Sequence, residues 1–293
     1  MSVASASGIT PAGGRVGLLW RLARRSPSAT MGGLVVGVIV LVAIVAIFWT
    51  PYGPLTVATS KEFLAPSLAH PLGTDEYGRD VLSRLMAGAD ITLLASVGAV
   101  LIAGLIGIPA GLIAASRGGN TGELIMRGAD LIYSFPALLA AITLVAAFGA
   151  STATATIAIG IASIPSFARV TRSAALSVLG TEYVLAARAY GRSPTAVLRR
   201  HVIPNILPFI IVQASLLLSV TVLAVAALSY LGLGTPPPTA TWGGMLEDAQ
   251  NYLYQDPLLA VWPGLAIAIS VLGFNTLGDG LRDLLDPILR ERR

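Results

Sequence analysis

Residues 182–205 form a basic segment between two long apolar runs, with residue types and spacing suited to contact with another protein. Ala186-Ala187 is followed by Gly191 and then by Ile203-Pro204. Alanine favours a helix, and its small side chain lets a partner approach closely. Glycine accepts the left-handed backbone of a tight turn, and Pro194 suits the first position of a second helix. We therefore expect a helix–turn–helix hairpin; an ordinary basic loop is the alternative, and the spacing favours docking.

The remaining reactive residue types do not point to catalysis. The chain has no cysteine, which excludes disulfides and thiol catalysis. Its only lysine, Lys61, is not part of a G-x4-G-K-[ST] phosphate-binding loop, so the chain lacks the nucleotide site of a P-loop ATPase. The two histidines, His70 and His201, have no second plausible ligand at helical spacing. We expect no catalytic residue, no metal and no cofactor in this chain.

The composition is that of a membrane protein. Hydrophobic residues make up 55% of the chain and charged residues 12%, against about 25% charged residues in soluble domains. The apolar residues are gathered into long charge-free stretches, and about 20 apolar residues suffice to cross a bilayer. We predict an all-α polytopic membrane protein with six transmembrane helices, at 30–49, 91–115, 131–148, 152–168, 207–231 and 258–278. No charge lies within these spans, which disfavours a stand-alone secondary transporter.

The distribution of positive charge predicts the orientation. An even number of spans puts both termini on one side, and of the 19 Lys and Arg residues only Lys61, Arg79 and Arg84 fall on the other. The Lys/Arg-rich side is cytoplasmic, so the hairpin would lie across the cytoplasmic membrane surface, and the net charge of +4 needs no nucleic-acid partner. The chain divides into a cytoplasmic tail 1–29, a first span with its extracytoplasmic loop 30–90, and a core 91–293.

The end of the first outer loop combines charged and apolar residues. Residues 79–90 place several apolar side chains on one helical face, which predicts a short helix that lies in the membrane interface or packs on the bundle. Asp75 and Arg79, like Asp80 and Arg84, are four residues apart and predict local ion pairs. These charges are either structural or a contact for an external protein.

Five sequence blocks, in order, resemble the permeases of binding-protein-dependent ABC importers, and among them the C-type subunit of the dipeptide/oligopeptide/nickel family. Four are HPLGTDEYGRDVLSR (70–84), MRGADLIYSFPALLAAI (126–142), LSYLGLGTPPPTATWGGML (228–246) and FNTLGDGLRDLLDP (274–287). The fifth is the hairpin, with Ala-Ala-Arg-Ala at 186–189, Gly191, and His-x-x-Pro-Asn at 201–205. The resemblance extends over roughly residues 20–293.

This resemblance implies a type I ABC importer permease fold in the bacterial inner membrane. The partners would be membrane lipid, a homologous B-type permease subunit, two cytoplasmic ATPases that bind ATP and Mg, and an extracytoplasmic substrate-binding protein. The hairpin would be the coupling loop for the ATPase, with ten candidate residues: Leu185, Ala186, Ala187, Arg188, Ala189, Gly191, Arg192, Ser193, His201 and Pro204. Di- or oligopeptides are the leading substrate class, and nickel, glutathione and haem are the alternatives.

The chain departs from the family pattern at a few positions. Leu185 and His201 stand where the wider importer motif has Glu and Ile, as they do in the peptide branch. Val225 stands where the family often has an acidic residue, and Asp90 where it often has arginine. Asn275, late in the sixth span, either lines the pathway or forms a hydrogen bond between helices.

Overall fold

A computed structural model describes residues 26–285, so most of the predicted tail 1–29 and residues 286–293 lie outside the described residues. A short 3-10 turn, Thr59–Lys61, lies in the loop that follows the first helix. The helices within the described part are α1 Pro27–Phe48, α2 Val81–Arg117, α3 Gly119–Ser134, α4 Ala137–Phe148, α5 Thr152–Leu179, α6 Glu182–Ala189, α7 Pro194–Tyr230, α8 Trp242–Gln250 and α9 Leu258–Leu285.

Five of these helices, α1, α2, α5, α7 and α9, are each long and apolar enough to cross a membrane. A sixth span is obtained when α3 and α4 are counted as one bent span. The prediction of an all-α membrane protein is confirmed.

The third predicted span, 131–148, is not one straight helix. α3 and α4 meet at an angle of 81°, and Phe135, between them, is extended (φ −87°, ψ 133°). The residue before a proline avoids the helical conformation, and Pro136 follows Phe135. α4 alone, at 12 residues, is about 18 Å long, which is shorter than the roughly 30 Å hydrocarbon core of a bilayer.

The prediction of a separate short helix at 79–90 is also wrong. Residues from Val81 onward are the first turns of α2, which continues without a break to Arg117. Asp80 caps the start of this helix, because its Oδ2 accepts a hydrogen bond from the backbone N–H of Ser83 at 2.8 Å. Val81 is buried against α8 and α9, so these first turns pack on the bundle.

Close packing of α2 on α5 forms the centre of the bundle. A Cβ atom on Gly107 would lie 2.6 Å from the carbonyl oxygen of Ile164, and one on Gly111 would lie 2.5 Å from that of Ala168. Only glycine allows the two backbones to come this close. Because successive contacts advance along both helices in the same direction, α2 and α5 run parallel.

The bundle therefore has two distinct ends. At the hairpin end, the last turns of α2 and α5 pack against α6 and the beginning of α7. At the loop end, the start of α2 packs against the loop 49–80 and against α8.

α7 joins the predicted hairpin to the fifth predicted span. The second hairpin helix begins at Pro194 and runs through to Tyr230 as one 37-residue helix, whereas we expected the span to begin near residue 207. Residues Leu198–Val202 of this helix form a π-helical turn. The hairpin and the membrane span are thus continuous.

Candidate functional site

The predicted turn of the hairpin is confirmed. α6 ends at Ala189, and Gly191 follows in the left-handed conformation with φ +79°. The backbone N–H of Gly191 donates to Arg188 O at 2.9 Å, and that of Arg192 donates to Ala187 O at 3.2 Å. These two bonds form a Schellman motif, in which glycine is the residue that fits the left-handed position.

The second hairpin helix begins as the sequence predicts. Pro194 occupies the first turn of α7, where its missing N–H costs nothing. The Oγ of Ser193 accepts a hydrogen bond from the backbone N–H of Ala196 at 3.4 Å and caps the helix.

The underside of the hairpin is fixed to the bundle. Val184 on α6, together with Val197, Val202 and Ile206 on α7, is completely buried. These four side chains pack with three apolar residues near the ends of α2 and α5: Ala115, Ala175 and Leu179. Displacement of the hairpin must therefore carry the ends of α2 and α5 with it.

The opposite face of the hairpin is open. The exposed candidate residues are Leu185, Ala186, Arg188, Ala189, Gly191, Arg192, Ser193 and Pro204, and the half-buried ones are Ala187 and His201. Leu185 is 52% exposed, and the neighbouring Tyr190, which the sequence did not single out, is 90% exposed. A Cβ atom on Gly191 would meet no atom within 4 Å. An apolar and small-residue surface is thus presented outward.

Positive charge borders this open face. Among residues 26–285, no carboxylate forms an ion pair with Arg188 or Arg192. The surface is therefore suited to a partner with acidic residues beside an apolar groove.

His201 lies inside the hairpin rather than on its open face. Its ring contacts the ring of Tyr183 edge-on, with centroids 6.0 Å apart, and its Nε2 is buried without a hydrogen-bond partner in the described part of the chain. The Nδ2 of Asn205 donates to His201 O at 2.6 Å and to the hydroxyl of Tyr183 at 3.3 Å. These three residues tie α6 to α7. Sequence reasoning named Asn205 only as part of a motif and did not single out Tyr183.

Asn275 forms a hydrogen bond between two helices. Its Oδ1 accepts from the hydroxyl of Ser219 at 2.8 Å, which links α9 to α7. Its side chain is half-buried. The interhelical interpretation is confirmed, and a position along a pathway stays a prediction.

Two of the departures from the family pattern, Val225 and Asp90, have different surroundings. Val225 is buried in an apolar cluster formed by α2, α4, α5 and α7, where an acidic side chain would lack a partner. Asp90 is half-buried on α2, and its Oδ1 has no hydrogen-bond partner within the described part of the chain.

The loop end contains a buried network of charges. The predicted pair of Asp75 and Arg79 is confirmed, with Nε and Oδ2 2.7 Å apart. The predicted pair of Asp80 and Arg84 is wrong, because Asp80 caps α2 and its Oδ1 lies 2.9 Å from the Nδ1 of His70.

Arg84 instead connects segments that are far apart in the sequence. Its Nη2 lies 3.1 Å from an Oδ2 of Asp248 on α8, and its Nε lies 3.4 Å from Asp75. Sequence reasoning missed the pair with Asp248 because 164 residues separate the two. The cluster joins the outer loop, the start of α2 and α8.

Glu76 completes this network. It accepts a hydrogen bond from Arg79 Nη2 at 2.9 Å. Burial raises the pKa of Glu76, and the neighbouring negative charges of Asp75 and Asp248 raise it further. The network therefore favours a protonated Glu76 more than water does.

Comparison with known proteins gives two family matches. The model described as "Binding-protein-dependent transport system inner membrane component" matches residues 107–291. The model described as "N-terminal TM domain of oligopeptide transport permease C" matches residues 16–67.

Curated relatives align along almost the whole chain. The glutathione transport system permease protein GsiD of Pectobacterium atrosepticum is 38% identical over 272 residues, which cover 92% of this chain and 90% of the relative. GsiD of Shigella dysenteriae is 41% identical with the same coverage. The probable D,D-dipeptide transport system permease protein DdpC of Escherichia coli K12 is 38% identical over 270 residues, again covering 92% and 90%.

A solved structure shares the fold. An inward-facing conformation of the MetNI methionine ABC transporter superposes with a TM-score of 0.58, covering 69% of this chain and 96% of that one, at 19% sequence identity.

Proposed function

Since the chain belongs to the family of binding-protein-dependent transport system inner membrane components and is a permease subunit of an ABC importer, we propose that its hairpin, residues 182–205, is the docking surface for a partner ATPase. The observation that carries this proposal is the contrast between the two faces of the hairpin. The underside is buried in the bundle. The outer face exposes apolar side chains, and it exposes two arginines that have no ion pair among residues 26–285. An anchored structure with an open apolar and cationic face has the properties of a rigid contact surface.

Coupling follows from the continuity of the hairpin with the bundle. ATP binding closes the partner ATPases, and the docked hairpin follows this movement. Because α7 is part of both the hairpin and a membrane span, and because the ends of α2 and α5 share its buried cluster, these helices tilt together. The pathway thereby alternates between inward and outward openings. Such coupling requires that the ATPase contact the hairpin differently in the two states.

The chain acts as one part of a larger assembly. A homologous B-type permease subunit completes the pathway, two cytoplasmic ATPases bind ATP and Mg, and an extracytoplasmic binding protein delivers the substrate. The Lys/Arg-rich side, which includes the hairpin and both termini, faces the cytoplasm of the bacterium. The protein itself supplies no catalytic group.

Short peptides are the proposed substrate class. The curated relatives named above carry glutathione and D,D-dipeptides in their names, and their similarity extends over about nine-tenths of the chain. Uptake of labelled di- and tripeptides, in competition with unlabelled peptides, glutathione, nickel and haem, tests this assignment. Competition by nickel or haem and not by peptides would contradict it.

The docking proposal is tested by Ala186→Asp, which places a negative charge on the exposed face. We expect the ATPase to be lost on co-purification and uptake to fall at least tenfold, because a buried unpaired carboxylate costs several kcal/mol at an interface (a factor of ten is about 1.4 kcal/mol). The amount of permease in the membrane should not change.

Ala65→Asp is the matched control for this variant. Ala65 is also exposed but lies at the loop end of the bundle, so this variant should retain the ATPase on co-purification. Full retention of the ATPase by Ala186→Asp would refute docking at this face.

A further inference from the structure

The π-helical turn Leu198–Val202 lies between the hairpin and the rest of α7. The backbone N–H of Ile203 donates to Leu198 O, five residues earlier, instead of the four of an α-helix. One extra residue rotates the two parts of a helix by about 100° relative to each other. We infer that this turn sets the rotational register of the hairpin on α7 and thereby orients the docking face; the inference rests on the docking function proposed above.

The burial pattern of α7 supports this register. Val197, Val202 and Ile206 are each 0% exposed and belong to one cluster. In an uninterrupted α-helix, Val197 and Val202 would point about 140° apart, and one of them would leave the cluster. With one extra residue between them the angle falls to about 40°, which equals the step from Val202 to Ile206. The π turn is therefore what allows both valines to be buried.

Pro204 provides a physical cause for the turn. A proline has no N–H, and in a regular helix its ring would clash with the carbonyl of the residue four positions earlier, which here is Arg200. A wider turn immediately before Pro204 relieves this clash. Pro204 accordingly lies in the first turn of the α-helical segment that follows the π turn.

Asn205 then fixes the turn in place. Its Nδ2 donates hydrogen bonds to His201 O at 2.6 Å and to the hydroxyl of Tyr183 on α6 at 3.3 Å. Proline and asparagine in the sequence His-x-x-Pro-Asn thus have separate tasks. Pro204 imposes the extra residue, and Asn205 connects the resulting turn to the first hairpin helix.

The test lets the segment form a regular helix with and without the extra residue. Pro204→Ala at full length removes the clash, and Pro204→Ala combined with deletion of Arg200 is the control, because four residues of a regular helix again place Val197 and Val202 about 40° apart. Arg200 is exposed and, within residues 26–285, has no ion pair, so its loss breaks no buried contact. Because the chain has no cysteine, Val197→Cys or Val202→Cys in each background reports the register through its reaction with a maleimide.

We expect both cysteines to be protected in the control with the deletion. In Pro204→Ala of full length, a regular helix turns Val197 about 140° away from Val202, so Val197→Cys should react at least ten times faster, whereas Val202→Cys should stay protected because it lies beyond the turn. Uptake by the assembled importer should fall at least tenfold below that of the control with the deletion.

Three results would overturn the inference. Protection of Val197→Cys in Pro204→Ala of full length would show that the turn does not set the register. Reaction of both cysteines would mean that the turn is needed for folding instead. A changed register with normal uptake would show that the orientation is unimportant for transport. Failure of the docking proposal gives a different pattern, because Ala186→Asp would then retain the ATPase while the maleimide reactions follow expectation.

Discussion

Gly191 illustrates how a single backbone conformation can decide the shape of a contact surface. Its positive φ allows the Schellman bonds from Gly191 and Arg192 back into α6, and these bonds reverse the chain within four residues. Space around the position is not limiting, because a Cβ atom there would meet nothing within 4 Å. Glycine is therefore required by the left-handed backbone and not by a lack of space. A side chain at this position would contact only a docked partner.

Gly191→Ala should loosen the hairpin without unfolding the bundle. An L-residue in the left-handed region costs about 1–2 kcal/mol, which raises the population of locally opened hairpin roughly 5- to 30-fold. Limited trypsin digestion measures this, because Arg188 and Arg192 flank the turn, and cleavage there should accelerate by a similar factor.

Gly128→Ala is the control for this measurement. Gly128 also has open space around it but lies in α3 with an ordinary helical backbone, so alanine there should not increase cleavage of the hairpin. Equal cleavage rates for Gly191→Ala and the unaltered chain would contradict the conformational explanation.

At the scale of whole helices, the contact between α2 and α5 leaves no space for a side chain at Gly107. Gly107→Ala would place its Cβ 2.6 Å from a backbone carbonyl, which cannot move aside as a flexible side chain could. We expect a loss of about 1–3 kcal/mol in stability from this overpacking. Thermal unfolding in detergent measures the loss.

Gly37→Ala is the control for this measurement, because it makes the same change of residue type at a position without close contacts. Gly37 lies in α1 and would meet no atom within 4 Å, so Gly37→Ala should keep or slightly increase the unfolding temperature, since alanine is the better helix former. If both variants unfolded at the temperature of the unaltered chain, the close approach of α2 and α5 would not contribute to stability.

Elements determined by local sequence were predictable, and those determined by distant contacts were not. The turn at Gly191, the helix start at Pro194 and the break at 149–151 follow from the preferences of glycine, proline and serine, and all three are present. The π turn escaped prediction because a proline can also end or kink a helix, and only the joint burial of Val197 and Val202 against α2 and α5 shows which outcome occurs here. Arg84 was assigned the wrong partner because its carboxylates are brought together only by the folded loop end.

At the scale of the whole molecule, the two ends of the bundle differ in chemistry. The hairpin end leaves arginines unpaired within the described part of the chain, whereas the loop end neutralises Arg79 and Arg84 with buried carboxylates. An unpaired guanidinium attracts anionic lipid and acidic protein surfaces, but a neutralised one does not. The difference agrees with an orientation in which the hairpin faces the cytoplasm.

Single cysteines introduced at each end test this orientation. Leu68→Cys at the loop end and Tyr190→Cys in the hairpin are both highly exposed positions. We expect a membrane-impermeant maleimide to label Leu68→Cys in intact spheroplasts and to label Tyr190→Cys only after the membrane is opened. The reverse pattern would place the hairpin outside and would also exclude contact with a cytoplasmic ATPase.

α7 is long enough to connect the two sides of the membrane. Its 37 residues extend about 55 Å, nearly twice the roughly 30 Å hydrocarbon core. One end carries the hairpin cluster, and at the other Val222 and Ala226 pack beside Trp242 of α8 while Tyr230 bonds to Gln250. A tilt of about 5° displaces one end of a helix of this length by roughly 5 Å relative to the other. A force on the hairpin and a contact beside α8 therefore act on opposite ends of one helix. Each changes the free energy that is needed to move the other end.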